Sequence, residues 1–260
     1  MFKKDLISIS FGELADMSII TLIGLTKKFD SVTAVDNISF EAEAGQIFGL
    51  VGPDGAGKTT TIRMLAGIME PSGGEASVDG MDIVKQADEL KESIGYMSQR
   101  FGLYEDLTVI ENINFYADIY CVPKKERQQR IKRLFEFSGL EPFQKRLARN
   151  LSGGMKQKLG LACSLIHTPK VLFLDEPTAG VDPVSRREFW RILYELIKEG
   201  VTILFSTSYL EEAERCGRVA LIHKGKLLRC ETPENIKRQT ASESMEQAFV
   251  SIIKQYEQKQ

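Results

Sequence analysis

With 260 residues, 43% of them hydrophobic and 27% charged, the chain has an ordinary globular balance and enough length to bury a substantial core, as one large domain or two small ones. Lys+Arg 34 against Asp+Glu 36 gives a net charge of -2, which supplies no basic field for nucleic acid. The longest apolar runs, such as LGLACSLI at 159–166, fall far short of the ~18 residues that a membrane-spanning helix needs, so the chain is not expected to cross a bilayer alone.

The first stretch, MFKKDLISISFGELADM, mixes two lysines with apolar residues. Ser8, Ser10, Gly12 and Glu13 interrupt the apolar run, which argues against a signal peptide. Residues 1–17 are therefore expected to be an extension without chemistry of its own. ITLIGLTKKF and AVDNISFEAE read as strands of a small antiparallel sheet, and GQIFGLVG reads as a buried strand. KTTTIRMLAGIM places Thr61, Met64, Leu65 and Ile68 at helical spacing. PSGGEASVDG reads as a turn-rich connector followed by a short strand-like piece, and ESIGYMSQ as a further strand.

The middle third changes character. In DLTVIENINFYADIY, Thr108 and Glu111 have capping-box spacing and predict a helix start. KKERQQRIKRLFEFSGL sets Ile131, Leu134 and Phe135 on one side and cations on the other, the pattern of a solvated basic face. After Leu151 strands and helices alternate again: VLFLDEP, SRREFWRILYELIKEG, VTILFSTS, then a hairpin RVALIHKGKLL turning at Lys224-Gly225. Residues 231–260 read as mixed helix with a polar tail. An α/β core with an all-helical insert follows. Cys121, Cys163, Cys216 and Cys230 form no C-x-x-C pair, so reduced thiols in a cytosolic compartment are expected.

Gly52, Pro53, Asp54, Gly55, Ala56, Gly57, Lys58 and Thr59 fit G-x-x-x-x-G-K-[ST], between a predicted strand and a predicted helix. Glycines let successive N–H groups converge on phosphate oxygens, and the following helix presents its positive end. Lys58 supplies charge to the β- and γ-phosphates, and Thr59 offers its hydroxyl to Mg²⁺. In VLFLDEP, Asp175 ends a buried strand, placed to hold Mg²⁺, and Glu176 beside it can polarise an attacking water; the bland reading of the pair is surface charge. LSGGMKQKLGLA supplies a second anion-facing helix start at Ser152, Gly153 and Gly154. The two phosphate-facing elements either converge within one chain or complete each other's sites in a dimer.

In these motifs the chain resembles the nucleotide-binding subunit of an ATP-binding cassette (ABC) transporter, over roughly Ile19 to Lys226. The resemblance implies an α/β fold: a P-loop NTPase (RecA-like) core with an N-terminal antiparallel β-subdomain and an α-helical subdomain insert. It makes residues 18–230 the nucleotide-binding domain, with the helical subdomain at approximately 100–165 and a C-terminal helical tail at 231–260. By resemblance, GPDGAGKTT, which runs through Thr60, is the Walker A loop, LSGGMKQK the signature, VLFLDE the Walker B strand and Ala179–Asp182 the D-loop. Gln99 is then the Q-loop glutamine, sensing Mg²⁺ and the γ-phosphate, or alternatively a core residue. Phe29 falls where the family stacks an aromatic on adenine, or is a core strand residue.

The implied cofactors are ATP and Mg²⁺, with Glu176 the general base and Lys58 stabilising charge on the γ-phosphoryl group. The implied partners are a second nucleotide-binding subunit packed head to tail and an integral-membrane permease of the ABC-2 type, with no nucleic acid. The chain would then sit in the cytoplasm, peripheral on the inner face of the membrane.

One position departs from the family. Most members carry a histidine after the VTILFST type of strand, where this chain has Ser208. Serine is shorter and uncharged and cannot reproduce an imidazole contact at that distance. His167 reads as structural and His223 as a surface residue, so neither obviously substitutes. GPDGAGKTT, FGLYEDLTV, AGVDPVSRREFW and STSYLEEAERC together resemble the ATPases of ABC-2 type exporters of drugs or hydrophobic compounds, a branch in which a serine-bearing cassette can accompany a histidine-bearing one. The expectation is an ATPase energising efflux. The alternatives are an ATP-gated binding module with weak hydrolysis, and a soluble non-transport ABC ATPase, which would usually carry two cassettes or a long coiled-coil insertion.

Overall fold

A computed structural model describes residues 18–99 and 102–258. The extension expected over residues 1–17 lies outside them. The described residues form two sheets. Strands β1 (Ile20–Phe29), β2 (Val32–Ala42), β4 (Gly73–Val78) and β5 (Met81–Asp82) make an antiparallel sheet in the order β2-β1-β4-β5. Strands β3 (Ile47–Val51), β6 (Ile94–Met97), β7 (Val171–Asp175), β8 (Thr202–Thr207), β9 (Arg218–His223) and β10 (Lys226–Glu231) make the second, in the order β10-β9-β3-β8-β7-β6. It is parallel except for the β9–β10 hairpin.

Strands β3, β7 and β8 are buried along their whole length, as a parallel sheet covered on both faces requires. The pleat sends alternate side chains to opposite cores. Ile47, Val51, Leu172, Leu174, Ile203 and Phe205 join one apolar cluster, whereas Phe48, Leu50, Val171, Phe173 and Leu204 join the other. On the second face lies helix α1 (Lys58–Leu65), which adds Ile62, Met64 and Leu65. There too packs the antiparallel sheet, whose Phe40 ring stacks on Phe48 at 4.9 Å. The first face takes helix α6 (Pro183–Lys198), capped by Asp182 with Pro183 at its start, through Phe189, Trp190, Leu193 and Leu196. It also takes the helical insert: α3 (Val109–Ile119), α4 (Lys124–Ser138) and α5 (Gly153–Leu165).

Local chemistry sets several boundaries. Thr108 and Glu111 form the expected capping box, with Thr108 N–H donating to Glu111 Oε2 at 2.8 Å. Lys224 and Gly225 both have positive φ (48° and 76°), as a two-residue hairpin turn demands. Leu134 and Phe135 of α4 are buried as their spacing predicts.

Other elements depart from the sequence reading. The connector around Gly73 and Gly74 is itself strand β4, paired along β1 from Val78 opposite Ile20 to Gly73 opposite Thr26. The glycines there mark a close approach: a Cβ on Gly74 would stand 2.3 Å from the Gly24 carbonyl oxygen. Helix α2 (Ala87–Ser93), with Leu90 alone buried, is too short and polar to show a period. Ile68 lies past the end of α1, beyond a turn at Gly67, and is 52% exposed. The segment after β10 is helical as expected, in α8 (Pro233–Gln239) and α9 (Met245–Glu257), but α9 is packed rather than polar throughout, burying Met245, Ala248, Phe249 and Ile252. Among the described residues no helix is long and apolar enough to cross a membrane.

Candidate functional site

The site lies at the carboxyl ends of β3 and β7, where the loop from Gly52 to Gly57 joins β3 to α1. Gly57 is the cap of α1, at φ 102°, and a Cβ there would stand 2.5 Å from the Ala34 carbonyl oxygen. Only glycine fits. A Cβ on Gly52 would meet the Ile222 carbonyl oxygen at 2.1 Å, so the loop is laid directly against β9. Its far side is held by Gly225 N–H donating to the Ala56 carbonyl at 3.0 Å. No side chain caps the start of α1, which leaves its first N–H groups to an outside acceptor.

Lys58, 4% exposed, curls back over the loop. Its ammonium donates to the carbonyls of Gly52 (2.8 Å) and Pro53 (3.0 Å) and lies 2.9 Å from Glu176 Oε1. The other carboxylate oxygen of Glu176 accepts from Gln99 Nε2 at 3.0 Å. Gln99 is exposed, which excludes its reading as a core residue. Glu176 follows β7 with left-handed backbone (φ 48°), a strained geometry for a non-glycine residue. Its N–H donates to Ser206 Oγ at 3.0 Å and to the Ser206 carbonyl at 3.2 Å.

Asp175 is fully buried, which excludes surface charge as its role. Its Oδ1 accepts from Thr59 Oγ1 (3.0 Å) and Ser206 Oγ (2.8 Å), while Oδ2 is buried without a hydrogen-bond partner. Burial pushes its carboxyl group up from the usual carboxylate range, opposed by the two hydroxyl donors. A buried carboxylate oxygen beside a threonine hydroxyl is a fitting donor set for a hard divalent cation. Ser206 was not singled out in the sequence. Its position two residues before Ser208, at the end of a buried strand next to β7, is the signal that could have found it.

A cavity of ≈ 350 Å³ opens here, lined by Ala34, Asp54, Gly55, Gly57, Lys58, Thr59, Thr60, Gln99 and Glu176. Phe29 does not line it; it stands at the end of β1, 44% exposed, with the Lys27 ammonium 5.3 Å from its ring centroid, and so is not a core residue. Ser208, half-buried just beyond β8, also lies outside the lining. Ser152 and Gly153 are exposed at the start of α5, where Ser152 Oγ accepts from Met155 N–H at 3.3 Å, and they too are absent from it.

The two histidines take different places from the cavity and from each other. His167 is a packing residue: its ring stacks on Tyr120 at 3.8 Å, Nε2 lies 3.0 Å from the Ile94 carbonyl oxygen, and burial holds its pKa down to about 4. His223 is not the surface residue expected. Both ring nitrogens are buried without a hydrogen-bond partner, with Phe249 of α9 edge-on at 6.5 Å, because α9 folds back over the β9–β10 hairpin.

Known proteins carry the same organisation. Residues 35–179 match the family described as ABC transporter. The chain is 53% identical over 229 residues to the probable multidrug ABC transporter ATP-binding protein YbhF of Escherichia coli; the match covers 87% of this chain but spans only 40% of that relative's length. It is 37% identical over 220 residues to the daunorubicin/doxorubicin resistance ATP-binding protein DrrA of Streptomyces peucetius, covering 84% of this chain and 67% of that one. Among solved structures, a dimeric ATP-binding cassette in a post-hydrolysis state bound to ADP and Pi superposes with a TM-score of 0.74 at 25% identity, over 82% of this chain and 98% of the other.

Proposed function

This chain belongs to the ABC transporter family of ATP-binding proteins, and on that premise we propose that it hydrolyses ATP to energise export of a drug-like or hydrophobic compound through a separate membrane subunit. The observation that carries the reading is the convergence of Lys58, Glu176, Gln99, Thr59 and Asp175 at one loop. Nucleotide phosphates would lie against the Gly52–Thr60 loop, where Lys58 is shared between Glu176 and an incoming γ-phosphate. Glu176 would accept the proton of the attacking water, with Gln99 orienting its carboxylate. Thr59 and Asp175, with Gln99 nearby, would hold Mg²⁺, which when bound neutralises charge on the β- and γ-phosphate oxygens. Phe29 would stack on adenine.

Ser152, Gly153 and Gly154 would serve the ATP of a second cassette, which accounts for an exposed N-terminus of α5 outside this chain's own cavity. The relatives named for multidrug and daunorubicin/doxorubicin resistance support the export reading. The membrane subunit would be an ABC-2 type permease, with this chain peripheral on the inner face of the membrane.

Ser208 bears on how fast the site works. Losing a well-placed donor to the γ-phosphoryl oxygens costs on the order of 3 kcal/mol, or about a hundredfold in rate. Under this reading the chain hydrolyses ATP slowly by itself and works in the cell beside a histidine-bearing cassette. Ser208→His is expected to raise turnover of the purified chain at saturating Mg-ATP by about tenfold or more. Equal or lower rates would mean that the surroundings have adapted to serine and would remove the need for a second kind of cassette. Negligible turnover in both proteins would favour the ATP-gated binding module.

A further inference from the structure

A buried carboxylate stands behind the nucleotide site and takes no part in the chemistry above. Glu212, 1% exposed, belongs to the single helical turn α7 (Leu210–Ala213) that follows Ser208. Thr178 Oγ1 donates to both of its oxygens, at 2.8 and 3.0 Å. Thr207 Oγ1, at the end of β8, donates to Oε2 at 2.6 Å. Trp190 Nε1–H of α6 donates to Oε1 at 3.1 Å, and Arg186 Nε lies 3.8 Å from the same oxygen. Thr207 Oγ1 also accepts from Tyr209 N–H at 2.9 Å, and the Arg186 guanidinium lies 4.4 Å from the Tyr209 ring centroid. One carboxylate therefore gathers the residues on either side of Ser208, the Thr178 turn two residues after Glu176, and the first half of α6.

We infer that Glu212 is a positioning residue, which makes the Ser208 segment and the Glu176 turn move as one unit, so that when a γ-phosphate draws Lys58 away from Glu176 the two segments shift together and the first sets the alignment of the second. The inference rests on the nucleotide-site reading above. An acceptor-only group is what this cluster needs, because Trp190 Nε1 can only donate and both threonine hydroxyls aim at the same two oxygens. In a glutamine the amide nitrogen would face one of those donors and the charge opposite Arg186 would be gone, while the side chain keeps its shape.

Trp190 is the chain's single tryptophan, so its emission reports on the indole–carboxylate bond without labelling. With the 260-residue chain, Mg-ATP is expected to change Trp190 emission and Mg-ADP to leave it unchanged. In Glu212→Gln the ATP-specific change should vanish and kcat should fall on the order of tenfold or more, the scale on which small misplacements act. KM should stay within about twofold of the parent, because ground-state binding is untouched. Should Glu212→Gln fail to fold, Thr207→Val is measured instead; it removes one donor and the Tyr209 tie, and the same loss of kcat at constant KM is expected. Parental kcat in the folded variant, or the same emission change with ATP and ADP, overturns the inference. Glu176→Gln run in parallel separates the two readings: if it still turns over, the nucleotide-site reading has failed, and if it is inactive while Glu212→Gln hydrolyses normally, only the positioning role has.

Discussion

Glu176→Gln is expected to lower kcat by at least about a hundredfold, the lower range of what a positioned general base contributes, while ATP binds as tightly as before or more tightly. Both halves follow from the same contacts. The amide cannot take a proton from water, so the chemical step loses its acceptor. The carboxylate also lies 2.9 Å from the Lys58 ammonium and so competes with a γ-phosphate for it. Removing that negative charge frees Lys58 for the nucleotide and relieves repulsion between Glu176 and the phosphate. Equilibrium binding of Mg-ATP measured beside single-turnover hydrolysis checks the claim. A variant that hydrolyses at the parental rate would take Glu176 out of the catalytic role, and weakened binding would contradict the competition.

Lys58→Ala should act on the other side of that balance. Lys58 is 4% exposed and its ammonium bridges loop carbonyls to a carboxylate, so its loss removes a charge-assisted donor worth about 1.5–3 kcal/mol. It also leaves Glu176 uncompensated at the mouth of the phosphate loop. ATP affinity is expected to fall on the order of a hundredfold, about 2.8 kcal/mol, with turnover falling further. The pair should be coupled. In Lys58→Ala/Glu176→Gln, part of the lost affinity should return, because the unpaired carboxylate has gone, and a Glu176→Gln effect on affinity that is the same with and without Lys58 would refute the shared-lysine account.

The loop from Gly52 to Thr59 was legible because its geometry is local: the residues are consecutive, and glycines between a buried strand and a helix start mark the tight turn that the structure shows. The parallel strands were legible because a sheet covered on both faces writes unbroken apolar runs, as in IFGLV and VLFLD. The same locality explains the capping box at Thr108 and the turn at Lys224-Gly225. What the sequence withheld is long-range. Gly74 looks like a turn residue until β1 is seen packed against it. Ser206 is an ordinary strand serine until β7 brings Asp175 within 2.8 Å. Glu212 sits in a run of acidic residues, EEAE, yet it is the buried one because Thr178, Thr207 and Trp190 arrive from a turn, a strand and a helix elsewhere in the chain. His223 misled for the same reason, since Phe249 of α9 returns over the hairpin from 26 positions further along the chain.

The central claim is that an ATP site built on Lys58 and Glu176 is completed by Ser152–Gly154 of a second cassette. It is tested most directly by the specific ATPase activity of the purified chain across a dilution series, with the monomer–dimer distribution measured in the same Mg-ATP buffer. Activity per chain should rise with concentration in step with the dimer fraction and level off when dimers saturate. Activity that stays flat across the series, in a species shown to be monomeric throughout, would contradict the shared site.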